Sequence, residues 1–202
     1  MRHELNHERQ YRGAEVLARL SALPIAIAGV GALGANLAET LARQGAGHLL
    51  LIDRDRVEAS NLCTQPYTRA DVGGAKADVL ANHIYGAVGV EAQARRGTLD
   101  GRSARKLLKG AGLVIDCFDN TAARAAVQAE ARRLGVPCLH VGLTADYAEI
   151  IWDAHYRVPD DTGLDLCDYP LARNLVLLAV SVAAEAVLAF VREGATPSYT
   201  LT

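Results

Sequence analysis

The stretch 29–53, "GVGALGANLAETLARQGAGHLLLID", decides the fold. It opens with Gly-x-Gly-x-x-Gly directly after the apolar run "PIAIAGV" (24–30) and closes on an aspartate at the end of a second apolar run, "HLLLID" (48–53). Short apolar runs bounded by glycine read as buried strands, and residues 32–44 between them read as a helix. In a strand–turn–helix of this kind the first glycine, Gly29, permits the tight turn. Gly31 lets a phosphate approach the backbone, and Gly34 lets helix and strand pack closely. The helix N-terminus then favours negative charge. Asp53 is placed to accept hydrogen bonds from ribose hydroxyls. The glycines alone also suit a turn that serves packing only, and they do not distinguish NAD, FAD and ATP.

Working outward, residues 3–20 read as an amphipathic helix. Helices are expected at 75–86, 103–110 and 121–135, and strands at 90–96, 113–119 and 136–142. An alternating segment at 147–158 reads as a strand outside the parallel core. Strands alternating with helices predict one α/β domain over 1–202. It is Rossmann-like, with a mostly parallel sheet, helices on both faces and a long apolar helix at the C-terminal end. Ligands in such folds bind beyond the carboxyl ends of the strands. The residues to watch are therefore 29–34, Asp53 with its long polar loop, and "DCFDN" at 116–120.

Composition is that of a globular protein, with 50% hydrophobic residues and a formal net charge of -2. No basic excess supports a general nucleic-acid role. The charged N-terminal stretch lacks an apolar signal region, so a cytoplasmic location is expected. Residues 171–191 approach the length of a membrane span, but Arg173, Asn174 and Glu185 argue for a helix buried in the protein or at a subunit contact, with no membrane. Cys63, Cys117, Cys138 and Cys167 form no Cys-x-x-Cys pair, so no zinc is expected.

The loop after Asp53 carries features that a dehydrogenase would not need. Asp55 follows by two, Ser60 and Asn61 supply short polar groups, and Lys76 suits polyphosphate as a mobile point charge. Asp119 is placed to hold Mg²⁺, a hard cation that usually arrives with phosphates, although Asp119 or Asn120 would equally cap the following helix. His140 reads as a satisfied structural histidine. Tyr147, Trp152 and Tyr156 read as packing, on the sixth strand or on a partner's tail. Cys117 and Cys138 read as core.

"GVGALG", "LLLIDRDRVEASNL", "GGAKADVL" and "DCFDN", in this order, resemble the ThiF/MoeB/HesA family of ubiquitin-activating-enzyme-like adenylyltransferases, over roughly residues 5–192. The resemblance implies a homodimer that binds ATP and Mg²⁺. Its activity would be adenylation of the C-terminal glycine of a ubiquitin-like sulfur-carrier protein with a Gly-Gly tail, in a thiamine, molybdopterin or related sulfur pathway. It implies that Gly29, Gly31 and Gly34 line the nucleotide, Asp53 holds the ribose, Asn61 and Lys76 contact the phosphates and Asp119 binds Mg²⁺. Arg9, in "ERQ", resembles the arginine that reaches into the neighbouring subunit's site, and the last helix resembles one that builds the dimer.

The sequence departs from the family at three points. Thr64, in "SNLCTQ", stands where the family has an arginine, which removes one phosphate contact unless Arg54, Arg56 or Arg69 supplies it. The zinc-binding cysteine pairs are missing. No separate catalytic-cysteine domain fits in the chain, so a covalent step would fall to Cys167. A non-catalytic nucleotide-binding scaffold and a nicotinamide-dependent oxidoreductase are the alternatives.

Overall fold

The computed structural model describes residues 3–159 and 171–202. The described elements are α1 (Asn6–Arg12), α2 (Ala14–Ala22), β1 (Pro24–Ala28), α3 (Ala32–Gln44), β2 (His48–Asp53), α4 (Lys76–Val88), β3 (Gln93–Arg96), α5 (Ala104–Leu107), β4 (Leu113–Asp116), α6 (Thr121–Leu134), β5 (Cys138–Thr144), β6 (Tyr147–Trp152), α7 (Arg173–Glu193) and β7 (Tyr199–Leu201). The strands form one sheet in the order β3-β2-β1-β4-β5-β6-β7. The pairs among β3, β2, β1, β4 and β5 are parallel. β6 and β7 add antiparallel at one edge.

Period-two alternation distributes the strand residues to two cores. Ile25, Ile27, Leu49 and Leu51 face the layer built with α3, α4 and α7. Ala26, Ala28, Leu50 and Ile52 face the layer built with α5 and α6. Both faces are covered, as a parallel sheet requires. The chain winds outward from β1 through β2 to β3, then crosses back to β4 on the other side of β1. The topological switch point therefore lies at the carboxyl end of β1, where Ala28 is level with Ile52 on one side and Asp116 on the other. A crevice for ligands opens at such a point.

Three expectations change. The single helix over 3–20 is two helices, because Gly13 adopts φ +88° between them and its N–H closes onto the Arg9 carbonyl at 3.0 Å. The strand over 113–119 ends at Asp116, so Asp119 lies in the following turn. β7 was not anticipated; its three residues are too few for alternation to show. α7 is long and apolar enough to cross a membrane, but half of its most apolar window is buried inside the protein. Its Glu185 is held by Arg12 of α1 at 2.6 and 3.0 Å, which accounts for a carboxylate in an apolar helix.

Candidate active site

Gly29 leaves β1 at φ +88°, and its N–H donates to the Ile52 carbonyl at 2.9 Å. A Cβ there would sit 3.1 Å from the Phe118 ring and 3.2 Å from the Cys117 backbone. A Cβ on Gly34 would lie 1.9 Å from the Gly29 carbonyl oxygen, so this glycine brings α3 against the turn. Gly31 differs: nothing lies within 4 Å of its Cβ position. It also begins α3 without a side-chain cap. The first amides of a helix have no intrahelical acceptors. The turn thus presents uncapped N–H groups and open space at its middle glycine, which is what a phosphate group needs.

Asp53, at the end of β2, is 6% exposed. Its Oδ2 accepts the Val30 N–H and its Oδ1 the Asp55 N–H, each at 2.8 Å. Burial raises its pKa, opposed by those two amides and by the nearby Lys76 charge. Each carboxylate oxygen has lone-pair capacity beyond one bond, so acceptor capacity remains for ribose hydroxyls. Lys76 is buried at the first residue of α4, and its N–H donates to the Asp55 carbonyl at 2.9 Å. Its charge is close enough to act on Asp53, opposing the rise in that carboxyl's pKa.

The other residues singled out from sequence separate in space. Asp55 contributes its backbone to this cradle, while its carboxylate is exposed and lies 3.4 Å from Arg54. Asn61 is half-buried, and its Oδ1 accepts the Glu58 N–H at 2.9 Å, leaving its amide N–H₂ group as donor. Asp119 is exposed in the turn after β4. Asn120, not Asp119, caps α6, accepting the Ala123 N–H at 2.9 Å. The Asp119 Oδ1 accepts only a long hydrogen bond from Asn120 Nδ2 at 3.4 Å, which leaves its carboxylate lone-pair capacity for a cation. Among the described residues no group of three or more His, Cys, Asp or Glu side chains could hold a metal. A lone carboxylate fits a magnesium ion delivered by phosphates, which keeps most of its oxygen ligands from water and substrate.

Arg9 is not near the glycine turn of its own chain. It lines a cleft of about 320 Å³ with Leu5, Leu17 and Gly45. Gly45 ends α3, whose other end is the turn. Thirteen helical residues separate the two, about 20 Å at 1.5 Å per residue. Cys167 lies outside the described residues. Cys138 is in the core, and burial pushes the Cys117 and Cys138 thiols up, with Asp116 adding to the effect.

Several residues that complete the site carry no sequence signature. The buried Tyr67 hydroxyl donates to the Val30 carbonyl at 2.8 Å, tying the turn to the loop after β2. The Asn36 amide donates to Ala32 and Thr64 carbonyls at 2.7 and 2.8 Å. Thr64 is buried by this packing. Of the basic residues near its loop, Arg56 donates to the Gly73 carbonyl at 2.6 Å. Arg173, from the start of α7, donates to the Cys63 carbonyl at 3.2 Å and was not anticipated.

Beneath Asp119 lies a buried network. Asp116 is fully buried, accepts the Phe118 N–H at 3.1 Å and meets His140 Nδ1 at 2.8 Å. Tyr156 stacks on His140 at 3.7 Å between ring centres and accepts from Arg124 at 2.8 Å. The buried Nε2 of His140 makes no well-formed hydrogen bond but lies 3.4 Å from Asp153 Oδ1, so both ring nitrogens face a carboxylate, as the structural reading of this histidine expects. Trp152 packs against Phe190 of α7, as expected of a core aromatic.

The family model that matches is the ThiF family, over residues 7–163. Ubiquitin-like modifier-activating enzyme 5 of Oryza sativa subsp. japonica is 30% identical over 167 residues, 76% of this chain and 39% of that protein. The sulfur carrier protein adenylyltransferase of Thermus thermophilus is 36% identical over 129 residues, 62% of this chain and 47% of that protein. The chain thus spans less than half the length of these curated relatives. Among solved structures, the tRNA N6-threonylcarbamoyladenosine dehydratase of E. coli in complex with ATP superposes with a TM-score of 0.81 at 22% identity, covering 94% of each chain.

Proposed function

The chain belongs to the ThiF family, and from that premise we propose that it uses ATP·Mg to adenylate a carboxylate, the C-terminal glycine of a ubiquitin-like sulfur-carrier protein with a Gly-Gly tail, releasing pyrophosphate. Its named relatives act on different acceptors, so ATP-dependent chemistry is the shared part and the carrier protein is the specific proposal. The observation that carries it is the open, uncapped turn at Gly31 together with the buried Asp53 and Lys76.

In this reading Asp53 accepts the ribose hydroxyls, the α3 amides and Lys76 neutralise the phosphates, and the Asn61 amide donates to them. A carboxylate oxygen of the carrier attacks the α-phosphorus. The bond from that phosphorus to the bridging oxygen of the β-phosphate breaks, and its electrons leave with pyrophosphate. The attacking carboxylate is already ionised at neutral pH, so no general base is required. All the reacting groups are anionic, so positioning and charge neutralisation are the catalytic requirement. Asp119 would hold Mg²⁺, which when bound would supply further charge neutralisation at the phosphates. Arg9 acts only across a homodimer, because α3 keeps it about 20 Å from its own turn. The exposed Tyr11, Leu177 and Leu178 on α1 and α7 suit that contact.

The test is calorimetric titration of the wild type and Lys76→Met with ATP·Mg and, separately, NADH. ATP·Mg binding at least about tenfold weaker in the variant, the scale of one lost charge-assisted contact, is expected. NADH binding without an ATP response overturns the reading. ATP binding without pyrophosphate exchange, when carrier proteins are supplied, favours a non-catalytic scaffold instead.

A further inference from the structure

A second groove opens on the same rim of the sheet. It encloses about 490 Å³ between the end of β3 and α5 and is lined by Arg95, Arg96, Thr98, Ser103, Lys106 and Lys109, with Leu107 its one apolar side chain. Its place is fixed: Arg96 is the register partner of Asp53, and the Gly97 N–H donates to the Asp53 carbonyl at 3.2 Å. The segment 93–109, "QARRGTLDGRSARKLLK", holds six cations and one carboxylate. That carboxylate, Asp100, is turned back onto its own loop, accepting the Arg102 and Ser103 N–H groups at 2.9 and 2.8 Å. Arg96 is paired with Asp78. Arg95 is not paired with a carboxylate among the described residues; it donates to the Leu107 and Lys109 carbonyls at 2.6 and 2.8 Å. This pins the wall that carries the exposed Lys106 and Lys109, which form no ion pair among the described residues.

From this geometry we infer that the groove between β3 and α5 binds the phosphate backbone of RNA. Arginine, lysine, serine and threonine are the side chains that contact nucleic-acid phosphates. Four cations, Arg95, Arg96, Lys106 and Lys109, line the one groove, which matches a repeating anion better than one phosphate group. Protein interfaces centre on aromatic and aliphatic anchors, whereas no aromatic lines the groove and its one apolar side chain, Leu107, is already buried in the protein. α5 has four residues, too few to enter and read a DNA major groove, whereas RNA helices are recognised by shape and backbone contacts. The net charge of -2 conceals the patch because acidic residues elsewhere offset it. The inference does not depend on the adenylation reading.

The test measures fluorescence anisotropy of a labelled, unmodified tRNA transcript between 50 and 200 mM salt, roughly the range over which phosphate contacts are lost. Lys106→Glu/Lys109→Glu is compared with Arg43→Glu/Arg192→Glu, which changes net charge equally at the far ends of α3 and α7. The groove variant should bind at least about tenfold more weakly and lower the slope of log affinity against log salt by about two, one per phosphate contact removed. The control should stay near wild type, and both should keep the wild-type thermal midpoint. Equal losses in the two variants overturn the inference, since net charge alone would then explain binding. So does no tRNA binding by the wild type at 50 mM salt, tighter binding of a DNA duplex, or competition by poly-glutamate as effective as by poly-uridylate.

Discussion

Replacing Asp53 by alanine tests whether one carboxylate holds the turn together. Its two oxygens accept the Val30 and Asp55 amides at 2.8 Å in a buried setting. Alanine leaves both donors unsatisfied, at about 1–3 kcal/mol each. Removing a buried charge returns part of that, since burial is the first cause of the raised Asp53 pKa. A net loss of about 2–4 kcal/mol follows, and for a chain of this size each kcal/mol lowers the thermal midpoint by about 2–4 °C. Calorimetry should therefore record a drop of roughly 5–15 °C. Asp53→Asn keeps one acceptor and turns an N–H₂ group on the other amide, so about half the loss is expected. The raised pKa also sets a sign. A carboxyl that binds its proton more tightly folded than unfolded loses stabilising value as it ionises. The stability difference between wild type and Asp53→Asn should shrink as pH rises above about 4 and then level off. A midpoint within about 2 °C of wild type for Asp53→Ala would refute the clamp. A difference that grows with pH would refute the dominance of burial.

The remaining predictions separate folding from binding. Gly34→Ala drives a Cβ into the Gly29 carbonyl and should cost several kcal/mol, about 3 or more, in thermal melts. Gly31→Ala meets open space, so its melt should match wild type while ATP affinity falls at least about tenfold, because a methyl group then stands where a phosphate approaches. Asn120→Ala should lose about 1 kcal/mol of stability through its cap. Asp119→Ala should leave the melt unchanged and remove the magnesium dependence of nucleotide binding in calorimetry. Reversed effects in this pair would exchange the two roles.

Much of this was legible because it is periodic. The bounds of α3 and β2 follow from glycines and apolar runs at the ends of each element, and both match the sequence reading. The antiparallel β6 and the parallel edge strand β3 showed themselves by alternation, whereas the parallel strands β1, β2 and β4 showed as continuous apolar runs. Gly13 was hidden because one glycine inside an amphipathic pattern does not disturb the pattern, although its positive φ disturbs the backbone. Asp119 and Asn120 were indistinguishable as caps because adjacent short polar residues suit the same position, and only the hydrogen bond to Ala123 separates them. Tyr67, Asn36 and Arg173 act through backbone carbonyls distant in sequence, contacts for which no spacing rule exists.

The glycine turn does not itself choose a nucleotide. Its amides, its open Gly31 and the clamp by Asp53 would serve any ribose-phosphate ligand. The choice is made by what the two flanking connections bring to the switch point. From the β2 side comes Lys76, whose backbone is fixed by the Asp55 carbonyl and whose charge acts on Asp53. From the β4 side comes Asp119, freed from capping by Asn120 and carried on a turn that Asp116 anchors through Phe118. A lysine and an exposed carboxylate brought by the two flanking connections suit a polyphosphate with its cation better than they suit a nicotinamide ring. Both connections are fastened to the turn, by Tyr67 on one side and by Phe118 packed against Gly29 on the other. A nucleotide bridging them would therefore couple two loops that the sheet already holds in register, so binding should stabilise the fold.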